Sequence, residues 1–213
     1  MSKKNKSAKR TQRKAFGITV LKAADKRIRH LKNEYEPFVH GDKFWTSSWL
    51  IMDYLRRQGV PEHSRVLEVG CGWGLASIYC AKKFAAKTTG VDMDSAVFPY
   101  LELHAELNGV KVDTKRLKFQ DLRKKMLSKF DLVIGADICF WDELVDPVYK
   151  LIRRAVRAEV QQIIVADPGR PPFLKVCDRC CDKLGGVTKD WELSGSVRAS
   201  GTLLIVGSLP QAR

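Results

Sequence analysis

Apolar residues fall along this chain in short blocks whose spacing alternates between two periods. Val66, Leu67 and Val69 form an apolar run broken only by Glu68, which reads as a buried parallel strand. The next segment, LASIYCAKKF, carries Leu75, Ile78, Tyr79 and Ala81 at helical spacing. Further strands are predicted over 87–92 (KTTGVD), 116–119, 131–136 (DLVIGA) and 163–166, with helices over 95–108, 143–158 and 172–184. Asn108-Gly109 and Gly185-Gly186 close two of those helices. Residues 187–193 and 202–206 add two strands joined by a short loop, the pattern of an antiparallel hairpin. Upstream, WTSSWLIMDYLRR (45–57) reads as a helix beginning near Ser47 or Ser48, with Leu50, Ile51, Tyr54 and Leu55 on one face. Gly59-Val60-Pro61 ends it. Near the N-terminus, Ile18, Leu21, Ala24, Ile28 and Leu31 recur loosely among basic residues and predict a basic amphipathic helix over 16–31.

Strands and helices alternating at this pitch imply an α/β fold. The expected architecture is Rossmann-like and doubly wound: a mostly parallel seven-stranded sheet with an antiparallel C-terminal hairpin and helices on both faces. Ligands in such sheets bind outside the carboxyl ends of the strands. Polar residues that end strands are therefore the site candidates.

Charge changes the picture at one end only. Of a formal net charge of +14 over 213 residues, residues 1–32 hold twelve Lys and Arg against a single acid, Asp25. We therefore divide the chain into a basic N-terminal arm (1–32), partly disordered or helical, and one domain (33–213). Residues 1–15, MSKKNKSAKRTQRKA, are expected to be disordered alone. Such an arm serves RNA, the ribosome or an acidic protein, or only keeps the chain soluble. No run of eighteen apolar residues is present, so no membrane span is expected, and the charged N-terminus lacks the apolar core of a secretory signal. The six cysteines follow no regular framework and suggest reduced thiols in a cytoplasmic protein. Cys177-x-x-Cys180-Cys181 has no second ligand pair, so it reads as a helix face and no metal is expected.

The candidate chemistry begins after the first strand, where Gly70, Gly72 and Gly74 follow at two-residue spacing and lead into a helix. Glycine allows positive φ and leaves no Cβ between main chain and ligand, and the free N–H groups of the helix start face it. The pattern is E-x-G-x-G-x-G, not G-x-G-x-x-G, and no G-K-[ST] occurs. VLEVGCGWG resembles the first motif of the class I (seven-β-strand) S-adenosylmethionine-dependent methyltransferases. The resemblance implies that the loop Glu68-Val69-Gly70-Cys71-Gly72 cradles the methionine part of S-adenosyl-L-methionine. It also implies that Asp92 holds the ribose hydroxyls while Met93 packs on the adenine. Asp94 or Ser95 then caps the next helix. Asp121 matches an acid that accepts from the adenine amino group, and it equally suits a cap for LRKKML.

The fourth strand runs into Asp137-Ile138-Cys139-Phe140. An acid ending a buried apolar strand is costly without a partner. D-x-x-F resembles the D-x-x-Y/F signature of a subgroup that includes many protein-lysine methyltransferases, and Asp167-Pro168-Gly169-Arg170 is also found in that subgroup. The [ND]-P-P-[YF] motif of other class I enzymes is absent. The resemblance thus implies methyl transfer to a nitrogen, foremost a lysine side chain of a protein substrate, with an RNA or ribosome-associated acceptor as alternative. A non-catalytic nucleic-acid-binding module on this fold is the third reading. Asp137 and Phe140 are the candidate catalytic pair and Trp45 the candidate cofactor cover. Trp45 and Trp49 equally suit plain core, and Arg170 suits a structural turn.

Overall fold

The computed structural model describes residues 11–37, 41 and 43–210. Residues 1–10 of the expected disordered arm lie outside the described residues. Seven strands form one sheet: β3 (Arg65–Val69), β4 (Lys87–Asp92), β5 (Asp113–Arg116), β6 (Leu132–Ala136), β7 (Gln162–Asp167), β8 (Val187–Leu193) and β9 (Ala199–Gly207). Their order is β5-β4-β3-β6-β7-β9-β8, parallel from β5 through β7 and antiparallel at β7–β9 and β9–β8. The chain winds outward from β3 to β5, then returns to β6 on the other side of β3. This reversal separates the loops following β3 and β6 and opens the crevice in which doubly wound sheets bind ligands.

Each central strand contributes to two cores by alternation. Val66, Leu132, Ile134, Ile164, Ala166, Leu203 and Ile205 face one side. Leu67, Val133, Ile163, Val165, Leu204 and Val206 face the other. Helices α1 (Lys26–Glu34), α2 (Ser47–Gln58), α3 (Leu75–Phe84) and α4 (Phe98–Asn108) cover the first side; α6 (Val145–Arg157) and α7 (Pro171–Leu184) cover the second, with the short α5 (Lys124–Leu127). Trp49, Leu50, Ile51, Met52 and Leu55 of α2 are fully buried, each removing enough apolar surface to be worth about 1.5–3 kcal/mol. Cys177 and Cys180 pack into the second core as small apolar side chains, as expected for a helix face.

The helix predicted over 16–31 forms only in its last part. Two short strands, β1 (Gln12–Ala15) and β2 (Ile18–Leu21), make a hairpin, and the helix begins only at Lys26, capped by Asp25. Its turn, Phe16-Gly17, has positive φ at both positions (52° and 76°), the geometry that matches strand twist in a two-residue hairpin. Phe16 is held in this unfavourable region by stacking 5.8 Å from Trp49 and by an edge contact 6.1 Å from Tyr79. Ile18, Val20 and Leu21 are buried in the first core. Asn108 exchanges two hydrogen bonds with the Thr19 backbone (2.8 and 2.9 Å), and Leu21 N–H donates to His104 Nε2 (3.1 Å). Residues 12–34 therefore pack as part of the same body as the sheet.

Elsewhere the last strand begins three residues earlier than expected, at Ala199, and one strand is displaced. The third strand is Asp113–Arg116 and not 116–119, because residues 119–121 turn into a single 3₁₀ turn.

Candidate active site

Three left-handed glycines at alternate positions shape the loop after β3: φ is 60° at Gly70, 48° at Gly72 and 64° at Gly74. Added Cβ atoms at Gly70 and Gly74 would meet Ile138 at 2.7 Å and Leu101 at 2.5 Å, whereas at Gly72 nothing lies within 4 Å. Gly70 and Gly74 let the loop press against its neighbours. Gly72 leaves bare backbone facing a cavity. That cavity holds about 450 Å³, within the range that suits a small ligand. Trp45, Gly70, Gly72, Asp92, Met93, Asp137 and Phe140 all line it. A side cavity of about 30 Å³ shares Trp45, Gly70 and Gly72 and reaches Glu68, Cys71 and Gly74. Sequence candidates from strands one, two and four are thus brought to one place.

Asp121 is not among them. Its 3₁₀ turn directs the carboxylate to the Lys118 backbone N–H (3.0 Å), while Leu117, Lys118, Phe119 and Gln120 line the cavity instead. Nor does Asp121 cap the segment 122–127, whose helix α5 has Arg123 at its N-cap; its carboxylate bonds back to Lys118, one residue from Gln120, which lines the cavity. Leu144 and Pro147 also line the cavity. They come from the start of α6, so no strand-end rule finds them. Trp49 is core, fully buried, whereas Trp45 stands on the cavity wall.

Asp92 ends β4 and receives the Gly72 N–H (3.1 Å) on one oxygen and the Asp94 N–H (3.0 Å) on the other. Burial holds its carboxyl above the usual range, against those two donors. Asp94 caps the following turn through the Ala96 N–H (2.9 Å). Glu68 is buried and accepts from Ser77 N–H of α3 at 2.9 Å, tying strand to helix behind the glycine loop. Burial raises its carboxyl to about 7. The Cys71 thiol is likewise pushed up by burial, so it is a neutral wall and not a nucleophile.

The densest charge lies after β6 and β7. Asp137 adopts a left-handed backbone (φ 56°), its N–H donating to Ala166 O at 2.9 Å. Arg170 Nη1 donates to Asp137 Oδ1 at 2.7 Å and to Asp167 Oδ2 at 2.6 Å. Asp167 is fully buried and also takes the N–H groups of Gly169 (3.0 Å) and Arg170 (2.8 Å). Burial pushes the Asp167 carboxyl up even so. The guanidinium lies 4.6 Å from the Phe140 ring centre and 5.5 Å from that of Trp45, and the two rings meet at 5.1 Å. One cation thus serves two buried carboxylates. Asp137 is only 4% exposed, and its Oδ2 is buried with no partner among the described residues. An orphaned carboxylate oxygen at a cavity wall is an acceptor waiting for a donor.

The residues present fit S-adenosylmethionine. Gly72, where no side chain fills the space, leaves room for its methionine end beside the start of α3, Asp92 suits the ribose hydroxyls, and Met93, Leu117 and Phe119 give an apolar slot for the adenine. Residues 66–159 match the family of the methyltransferase domain. Over that stretch the chain is similar to a methyltransferase domain. It is 28% identical over 145 residues to the electron transfer flavoprotein beta subunit lysine methyltransferase of Xenopus laevis, covering 65% of this chain and 57% of that protein. It is 29% identical over 130 residues to the ubiquinone biosynthesis O-methyltransferase of Hahella chejuensis, covering 61% and 50%. The chain spans about half the length of these relatives. The ribosomal protein L11 methylase of Lactobacillus delbrueckii subsp. bulgaricus superposes with a TM-score of 0.53 at 18% identity, covering 78% of this chain and 79% of that one. At that identity the likeness is one of fold. The methyltransferase domain matched, 66–159, holds the glycine loop, Asp92 and Asp137, while Arg170 and Asp167 lie beyond it.

Proposed function

We propose that this chain transfers a methyl group from S-adenosylmethionine to a nitrogen, the side-chain amine of a protein lysine. The observation that carries the reading is the free Oδ2 of Asp137 on a cavity walled by Trp45, Phe140 and Trp141. S-adenosylmethionine supplies an electrophilic methyl on a sulfonium. The chain's own task is to hold the acceptor in line with it and to exclude water.

Asp137 Oδ2 accepts a hydrogen bond from the acceptor amine and aims its lone pair. Aromatic walls desolvate that amine, which favours the neutral, nucleophilic form over the ammonium. Arg170 works in the same direction: with its charge present, the two carboxylates amount to one net negative charge and not two, so they hold an ammonium less strongly. The lysine methyltransferase relative supports a lysine acceptor. Six free thiols support a reducing, cytoplasmic setting.

The test is transfer of labelled methyl from S-adenosylmethionine to extract proteins, alongside calorimetric binding of S-adenosylhomocysteine. Asp137→Asn should cut transfer at least about 100-fold and leave cofactor binding within about threefold, a difference under about 1 kcal/mol. Label that appears in RNA and not in protein overturns the lysine acceptor. Loss of binding and transfer together assigns Asp137 to the cofactor.

A further inference from the structure

Beyond residues 1–32 the domain has little net charge, yet its cations are not spread evenly. From Lys111 to Lys129 the chain carries eight Lys and Arg against Asp113 and Asp121. The structure lays this stretch along an outer edge of the sheet. Strand β5 pairs only with β4, and the loop 117–123 and α5 then cross to pack against α6. Arg154 of α6 clamps the loop by donating to Leu122 O (3.0 Å) and Phe119 O (2.5 Å).

The face so formed runs from the cavity outward. Arg116 donates to the carbonyl of Met93, and Lys118 lines the cavity itself. Arg123, Lys124 and Lys125 follow in exposed positions, with Arg157 exposed on α6. Among the described residues, none of these six side chains is within ion-pair distance of a carboxylate. Burial, and after it the charges of Arg123 and Arg153, pulls the Arg154 guanidinium below its ordinary value. Arg153 Nε is buried without a partner among the described residues. Like charges gathered in this way repel one another unless an anion joins them.

The face also lacks what a protein partner needs. Interfaces with proteins are anchored by buried aromatic or large apolar side chains. The exposed large hydrophobics of the described residues are Tyr35, Met93, Trp141, Leu174 and Val187, none on this stretch or on α6. Cations at intervals without apolar anchors match a phosphate backbone.

We propose that this face, from Arg116 and Lys118 through Arg123, Lys124 and Lys125 to Arg157, binds the phosphate backbone of a nucleic-acid strand and leads it past the mouth of the methyl-transfer cavity. The proposal rests on described residues between 116 and 157, and it does not depend on lysine being the acceptor.

The experiment is fluorescence anisotropy of a labelled single-stranded RNA oligonucleotide across a salt series. The full chain is compared with the triple variant Arg123→Ser/Lys124→Ser/Lys125→Ser and with Arg157→Ser, each also made without residues 1–10. Each phosphate contact contributes about 0.7 to the slope of log affinity against log salt. The triple variant should therefore lose about 2 from the slope and Arg157→Ser about 0.7, in both backgrounds. Melting temperature and S-adenosylhomocysteine binding should match the wild type, since all four side chains are exposed. A slope that survives the triple variant but vanishes with residues 1–10 overturns the proposal. So does tighter binding of polyglutamate than of RNA, which would make the partner an acidic protein.

Discussion

Replacing Arg170 by methionine removes the one cation shared by two buried carboxylates. Methionine keeps an unbranched apolar stem of similar reach, so the packing on Phe140 and Trp45 survives better than with alanine. Asp137 and Asp167 are 4% and 0% exposed. Removing one partner of a buried ion pair costs about 3–5 kcal/mol, because an uncompensated charge stays behind. Here two stay behind, but 23% exposure of the Arg170 side chain lets water screen part of the loss. We expect a cost near the lower end, about 3 kcal/mol.

The sign of its pH dependence follows from the carboxylates. Burial already holds the Asp167 carboxyl above its ordinary value, and loss of the Arg170 charge raises it further. A proton taken up by Asp167 in the folded state then relieves the repulsion at low pH, and that relief is lost as pH rises through its folded value. The variant should be closer to wild type near about pH 5 than near about pH 8. Urea unfolding is the assay, and a cost of about 3 kcal/mol moves the midpoint by roughly 1–2 M at the slopes usual for a small domain. A loss below about 1 kcal/mol at the higher pH, or an equal loss at both, refutes the shared-cation account.

Asp92→Ala should weaken S-adenosylhomocysteine binding by about 10-fold to 100-fold, since it removes a charged acceptor and loosens the Gly72 loop at once; calorimetry reads this directly, and unchanged affinity removes Asp92 from the cofactor site. Glu68 and His104 make opposed contributions to acid stability. Burial raises Glu68 from 4.5 to about 7, so its contribution is full below 4.5 and is lost as pH rises through about 7. Burial lowers His104 from 6.5 to about 4, so its contribution is full above 6.5 and is lost as pH falls through about 4. Glu68→Gln removes the first and leaves the second, so the variant should lose stability on acidification from about pH 6.5 to about pH 4, by on the order of 3 kcal/mol, more steeply than wild type. Parallel pH–stability curves for the two proteins would show that Glu68 titrates normally. At Gly201 a Cβ would run into the Asp167 carbonyl oxygen and lie 3.0 Å from Leu50; Gly201→Ala should cost about 1–3 kcal/mol and disturb the Asp167–Arg170 loop, seen as a lower melting temperature with impaired methyl transfer.

The sheet and most of the site were legible in the chain because their signals are local. Continuous apolar runs such as LVIGA, glycines where φ must be positive, and acids that end buried strands each stand on a few neighbouring residues. Together they placed Gly70, Gly72, Asp92 and Asp137 before any packing was considered. What the sequence could not hold was decided across distance. The hairpin at 12–21 exists because Trp49 and Tyr79 receive Phe16 while His104 and Asn108 receive the strand edge; its own spacing suits a helix as well. Asp121 turns back to Lys118 while Gln120 lines the cavity, through a 3₁₀ turn of three residues that is finer than any periodicity resolves. Arg170 becomes part of the site only when β6 and β7 lie side by side, because its meaning resides in a second carboxylate thirty-three positions away. Local pattern fixes which backbone a segment adopts; the pairing of buried charges is settled only when the layers close and water leaves.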